Sequence, residues 1–197
     1  LLAQSQALLA EGLGLHQKGE LVAAQQRYAE VLQLNPQHFD ALHLMGVLAS
    51  QAQQPERAVA LIQQAVKINP KVAGAFINLG VALRQLKRYT EAVDAYDQAL
   101  RLQPKDADTL VNRGVALRAL NLHDQALDSY NRALALKPHK FEAFYNRGLL
   151  FNDLNRLSQA IGDFDATLAI RPDYHPARWG QALCHLQLGQ LALGWQM

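Results

Sequence analysis

Five prolines mark a fixed interval along this chain: Pro36, Pro70, Pro104, Pro138 and Pro172 follow one another every 34 residues. Glycine keeps the same step at Gly12, Gly46, Gly80, Gly114 and Gly148, and alanine keeps it at Ala24, Ala58, Ala92, Ala126 and Ala160. A fourth series stays large and apolar throughout: Tyr28, Ile62, Tyr96, Tyr130 and Phe164. Four series in one register exclude an ordinary globule. They predict one supersecondary unit stacked on copies of itself, because each copy buries its apolar face against the next.

The content of the unit is two amphipathic helices. Across residues 73–106, Phe76, Leu79, Gly80 and Leu83 form a stripe spaced i, i+3, i+4, i+7, and Ala92, Val93, Tyr96, Ala99 and Leu100 form a second. Gly19, Asn121, Asn155 and Gly189 fall between the helices, where a left-handed C-terminal cap is wanted. Thr90, Asp124 and Ser158 follow as expected N-caps of the second helix. Pro55 suits the first turn of its helix, and the in-phase prolines close each unit. A helix-interior glycine costs roughly 1 kcal/mol relative to alanine, so five in phase need a reason. The expected reason is close helix approach, with alanine opposite and the large residue filling the space beside it.

These residues resemble the tetratricopeptide repeat, in which a small residue in helix A, Ala and Tyr/Phe in helix B, and a closing Pro recur. The resemblance covers residues 5–174 as five repeats, 5–38, 39–72, 73–106, 107–140 and 141–174, with 175–197 beginning a sixth or forming capping helices. It implies an all-α, right-handed superhelical solenoid whose concave groove is lined by the first helix of each pair. The usual leucine before the repeat glycine is replaced by Glu11, Arg113 and Arg147. The two arginines are expected to reach outward on their aliphatic stems.

Composition narrows the function. Half the residues are hydrophobic and the formal net charge is +2, with cations and anions interspersed, so neither nucleic acid nor an anionic membrane is an expected partner. Cys184 is the lone cysteine, which precludes an internal disulfide and suits a reducing, cytoplasmic setting. It lies on an apolar helical stripe and is expected to be buried. Seven histidines are scattered without a metal-binding spacing and read as surface residues, so no metal and no cofactor are expected. The Asp106-x-Asp108 and Asp163-x-Asp165 triplets read as solvated helix carboxylates. No phosphate loop, nucleophile elbow or Cys–His pair is present, so no catalytic residue is assigned.

One constellation stands out. Asn78, Asn112 and Asn146 occupy the same place in three successive units, two residues before the repeat glycine, although asparagine is a poor helix-interior residue. The family resemblance puts that position in the groove and implies an asparagine ladder that hydrogen-bonds the backbone of an extended ligand. Structural ties between adjacent repeats are the alternative. The ladder breaks at Leu44 and Gly180. Arg84 and Arg118 share a second position, suited either to acidic or phosphorylated ligand groups or to a solvated helix end. His43, Tyr145 and Trp179 mark a third, where rings either stack on a ligand or simply pack. The carboxylate clamp of some relatives needs asparagine one residue after the repeat glycine, where this chain has Val47, Val81, Val115 and Leu149.

Two functions are therefore open. The first is a protein–protein interaction scaffold that binds extended segments of partner proteins, its oligomeric state undetermined. The alternative is the substrate-recruiting arm of a glycosyltransferase-like enzyme whose catalytic domain lies beyond Met197. The run from Trp179 through Ala182, Leu183, Leu186 and Gly189 to Gly194 and Trp195 is similar to the last repeat of bacterial proteins that join such repeats to a glycosyltransferase domain. Leu191, Leu193 and Trp195, with few charges around them, carry the expectation that the chain continues into a partner surface.

Overall fold

A computed structural model describes residues 2–190. The expectations placed on Leu191, Leu193, Gly194 and Trp195 lie outside the described residues. The described residues form helices and turns without a strand. In chain order the helices are α1 (Leu2–Gln17), α2 (Leu21–Leu34), α3 (Phe39–Gln51), α4 (Pro55–Ile68), α5 (Ala73–Gln85) and α6 (Tyr89–Leu102). They continue with α7 (Ala107–Ala119), α8 (His123–Leu136), α9 (Phe141–Asp153), α10 (Leu157–Ile170) and α11 (His175–Gln187). The helices fall into two compact units, Leu1–Pro104 and Lys105–Met197. In the first unit α1 packs on α2, α3 on α4 and α5 on α6, with α2 against α3 and α4 against α5. In the second unit α7 packs on α8 and α9 on α10, and α10 also meets α11.

The buried stripe of each even-numbered helix repeats its chemistry. Ala24, Tyr28 and Val31 of α2 are wholly buried, as are Ala58, Ile62 and Ala65 of α4. In the second unit Ala126, Tyr130 and Ala133 of α8 and Ala160, Phe164 and Thr167 of α10 do the same. The repeat glycines explain themselves against this stripe. A Cβ built on Gly80 would lie 2.5 Å from Tyr96 Cε1, and one on Gly148 would lie 2.9 Å from Phe164 Cε1. The large residue therefore rests on the glycine itself, a tighter fit than the expected filling beside it. Dense packing leaves no room for another methyl group there.

The turn between paired helices is more uniform than its sequence. Gly19, Asn121, Asn155 and Gly189 have positive φ, and Gln53 (φ 56°) and Lys87 (φ 59°) adopt the same left-handed conformation. A side chain there costs roughly 1–2 kcal/mol, and the cap around it compensates. Gln53 N–H donates to Ser50 O at 3.2 Å and Gln54 N–H to Ala49 O at 2.9 Å, while Arg88 N–H reaches Leu83 O at 2.9 Å. These are Schellman bonds that satisfy the last carbonyls of the first helix.

The same cap overturns one expectation. Thr90, Asp124 and Ser158 are second residues of α6, α8 and α10, while the N-cap places belong to Arg88, Leu122 and Arg156 without any side-chain capping bond. The residue that closes the Schellman motif also opens the next helix, so the chain enters helix two residues early. Asp124 still lies in the first turn, where its charge suits the helix dipole. Pro55 begins α4 as expected.

Candidate functional site

The three asparagines sit on α5, α7 and α9, half-buried in each case, and their amides are engaged differently. In the first unit, Asn78 Nδ2 lies 2.9 Å from His43 Nε2. The His43 ring also stands 5.7 Å from that of Phe39. Burial pushes the imidazole pKa below its ordinary value, against a weaker pull from Asp40 in the other direction. A neutral ring protonated on Nδ1 accepts the Asn78 hydrogen at Nε2. In the second unit, Asn146 Nδ2 donates to its own helix at Glu142 O, 2.7 Å away, which leaves its carbonyl oxygen unused. Asn112 makes no side-chain hydrogen bond with any described residue.

The His43–Asn78 pair belongs to a pattern that single-position reading missed. His16 Nε2 meets Gln51 Oε1 at 3.3 Å, and Ser50 Oγ donates to Gln85 Oε1 at 3.2 Å. In the second unit Arg118 Nε and Nη2 reach the two carboxylate oxygens of Asp153 at 2.5 and 3.2 Å. Each pair is separated by 35 residues, one repeat plus one residue. Stacked first helices place those two positions side by side. A search for complementary polar residues at that separation would have found the pairs in the sequence.

Arg84 and Arg118 also answer to the tyrosine twelve residues later in their own helix pair. In the first pair of helices Tyr28 Oη lies 3.4 Å from His16 Nδ1 at that same separation. Tyr96 is wholly buried under α5, and burial raises its phenol pKa, with Arg84 opposing the rise. Yet Arg84 Nε and Tyr96 Oη are both shut off from solvent without a well-formed hydrogen bond, although the guanidinium stands close enough to act on the phenol. In the second unit burial likewise pushes Tyr130 above the ordinary phenol range, and its hydroxyl is unpartnered. Where the large residue has no hydroxyl, as at Ile62 and Phe164, the matching positions hold the shorter Ser50 and Asn152.

The ring series divides. Tyr145 packs into an aromatic cluster, 5.1 Å from the Tyr174 ring at 83° and 6.1 Å from Phe164. Burial raises its phenol pKa. Trp179 on α11 is 69% exposed.

Three expectations about polar residues are corrected. Arg147 points inward: Nε and Nη2 each reach a carboxylate oxygen of Asp163 at 2.7 Å, and Nη1 reaches Asn131 Oδ1 at 2.6 Å. Its guanidinium also lies 5.6 Å from the Phe144 ring centroid and 5.8 Å from that of Phe151. Arg113 Nη1 donates to buried Ser129 Oγ at 2.8 Å, so it too faces the paired helix. Asp163 is 6% exposed and structural, where a solvated carboxylate was expected. Its triplet neighbour Asp165 accepts from Gln181. Both arginines meet a residue 16 positions ahead, as Glu11 meets Arg27 at 3.1 Å. Inward pairing is favoured because the substituted leucine position faces helix B, and a guanidinium there needs an acceptor. The third correction concerns His43, which is half-buried and bonded, unlike the surface residue expected.

Asp106 serves as N-cap of α7, accepting from Asp108 N at 3.2 Å, and Asp108 pairs with Lys137 Nζ at 3.0 Å. Cys184 is buried, which pushes its thiol pKa up. Among the described residues no group of three or more His, Cys, Asp or Glu side chains is placed to hold a metal ion. No described helix is long and apolar enough to cross a membrane.

Comparison with known proteins places this geometry. Tetratricopeptide repeat family models match residues 43–107 and 107–140. No curated protein sequence matches the chain. Among solved structures, a tetratricopeptide repeat protein from Parabacteroides merdae aligns with TM-score 0.86 at 16% identity, over 98% of this chain and 77% of its own. PilF of Pseudomonas aeruginosa aligns with TM-score 0.81 at 18% identity, over 98% and 88%. YrrB, described as a TPR protein with an unusual peptide-binding site, aligns with TM-score 0.78 at 21% identity, over 93% and 91%. At such identities the likeness is one of fold, and together with the family matches it identifies this chain as a member of the tetratricopeptide repeat family, with that family's all-α helix-pair architecture.

Proposed function

We propose that this chain is a binding scaffold that holds extended segments of partner proteins against its odd-numbered helices. The observation that carries the reading is the in-phase series Asn78, Asn112 and Asn146, half-buried on α5, α7 and α9. Asn112 has a free amide, and Asn146 has a free carbonyl oxygen beside its internal bond. An amide offers a donor and an acceptor, which matches one peptide unit without reading its side chain. Asn78 likewise keeps its carbonyl oxygen beside its bond to His43, and offers its donor only by exchanging His43 for the ligand. The peptide-binding site described for YrrB, a protein of similar fold, lends support.

The test replaces all three asparagines with alanine and measures binding of peptides selected from a randomised library. Helicity should hold or rise, since alanine is the better helix former. Affinity should fall at least ~10-fold, about 1.4 kcal/mol. A sharp fall in melting temperature with unchanged affinity would show that the amides are internal ties.

A further inference from the structure

Arg84 and Arg118 occupy equivalent places on α5 and α7, and each acts on a buried tyrosine whose hydroxyl makes no well-formed hydrogen bond. Their guanidinium groups nevertheless differ. Arg118 is held in two-point contact by Asp153, at 2.5 and 3.2 Å. Arg84 has no carboxylate partner among the described residues, and its Nε is closed off from solvent without an acceptor. An N–H of a charged group that has lost water and gained nothing is destabilising in the free protein. Beside it, Tyr96 Oη is a second donor without an acceptor, and burial keeps that phenol protonated.

We propose that Arg84 is the receptor for an aspartate or glutamate side chain of the bound segment, whereas Arg118, already occupied by Asp153, reads no acid. This rests on the scaffold reading above. The incoming carboxylate supplies acceptor oxygens to the part-exposed Arg84 guanidinium, a planar fork of donors, as Asp153 supplies them to Arg118. A carboxylate matches the single guanidinium charge for charge, and a phosphorylated side chain is the competing ligand that the selection separates. The ion pair forms on the part-exposed side chain of Arg84, so the acid contributes to affinity and not merely to orientation.

The experiment selects peptides from a randomised phage library on the full chain, on Arg84→Gln and on Arg118→Gln, each first shown by circular dichroism to keep its helicity. The wild type and Arg118→Gln should enrich Asp or Glu at one peptide position, and Arg84→Gln should not. A selected peptide and its Asp→Asn or Glu→Gln counterpart should differ at least ~10-fold in affinity on the wild type and less than ~2-fold on Arg84→Gln. Recovery of neutral peptides by the wild type, equal loss in both arginine variants, or a stronger response to phosphoserine at that position would each overturn the assignment while leaving the scaffold reading in place. Selection of no peptide at all would overturn both.

Discussion

The helix pair α5–α6 and the helix pair α7–α8 are built on one plan and finished differently. In each, a glycine receives the ring of a buried tyrosine, and an arginine of the first helix is near enough to lower that phenol's pKa against the rise from burial. The frame is shared because it depends on residues within one repeat. The finish differs because it depends on a residue one repeat further on. Asp153 stands 35 residues after Arg118 and takes its charge. Arg84, in the first unit, has no such partner among the described residues. The same side chain is thus an internal tie in one copy and an open donor in the other. In a repeat protein, function is to be sought where an in-phase residue lacks the partner that its counterpart has.

Arg147 extends the comparison to an arginine that is both paired and sheltered, and it carries the largest expected effect. Arg147→Met leaves Asp163 buried without its partner, so unfolding of the second unit should ease by ~3–5 kcal/mol, read from urea unfolding followed by helix circular dichroism. A loss below ~1 kcal/mol would place the pair with ordinary surface ion pairs and remove burial as the deciding variable.

The tyrosines come next. Tyr96→Phe should be neutral or stabilising by up to ~1 kcal/mol, since it removes a buried hydroxyl that bonds to nothing. Tyr28→Phe, which loses the His16 contact, should cost ~0.5 kcal/mol. If Tyr96→Phe destabilises instead, its hydroxyl is engaged by Arg84, and the difference between the two arginines largely disappears.

The smallest effect belongs to the arginines themselves in the unliganded protein. Arg118→Gln should cost about 0.2–1 kcal/mol, because the pair is part-exposed, and the cost should shrink as salt is added. Arg84→Gln should leave thermal stability unchanged or slightly raised at any salt concentration, since it removes a buried donor without an acceptor. A salt-dependent loss at Arg84 would reveal an internal partner and close the site to an acidic ligand.

The period of 34 residues was enough to determine the helix pairs, the placement of the prolines beyond each second helix and the buried Ala-and-large-residue stripe. These features depend on neighbours within a turn or within one helix pair, and such contacts leave a periodic mark in the chain. The asparagine and arginine series were visible for the same reason. What each polar side chain does was decided by the tertiary structure. Arg147 turns inward because Asp163 and Asn131 offer acceptors from α10 and α8. Gln53 and Lys87 accept a left-handed backbone because the cap bonds hold them there. Thr90, Asp124 and Ser158 miss the cap because the preceding turn has already supplied it. Arg118 differs from Arg84 through a residue in the next first helix. A hydrogen bond depends on the few ångströms between two groups, and a one-dimensional pattern records position within a repeat, not which acceptor lies nearest once helices have stacked.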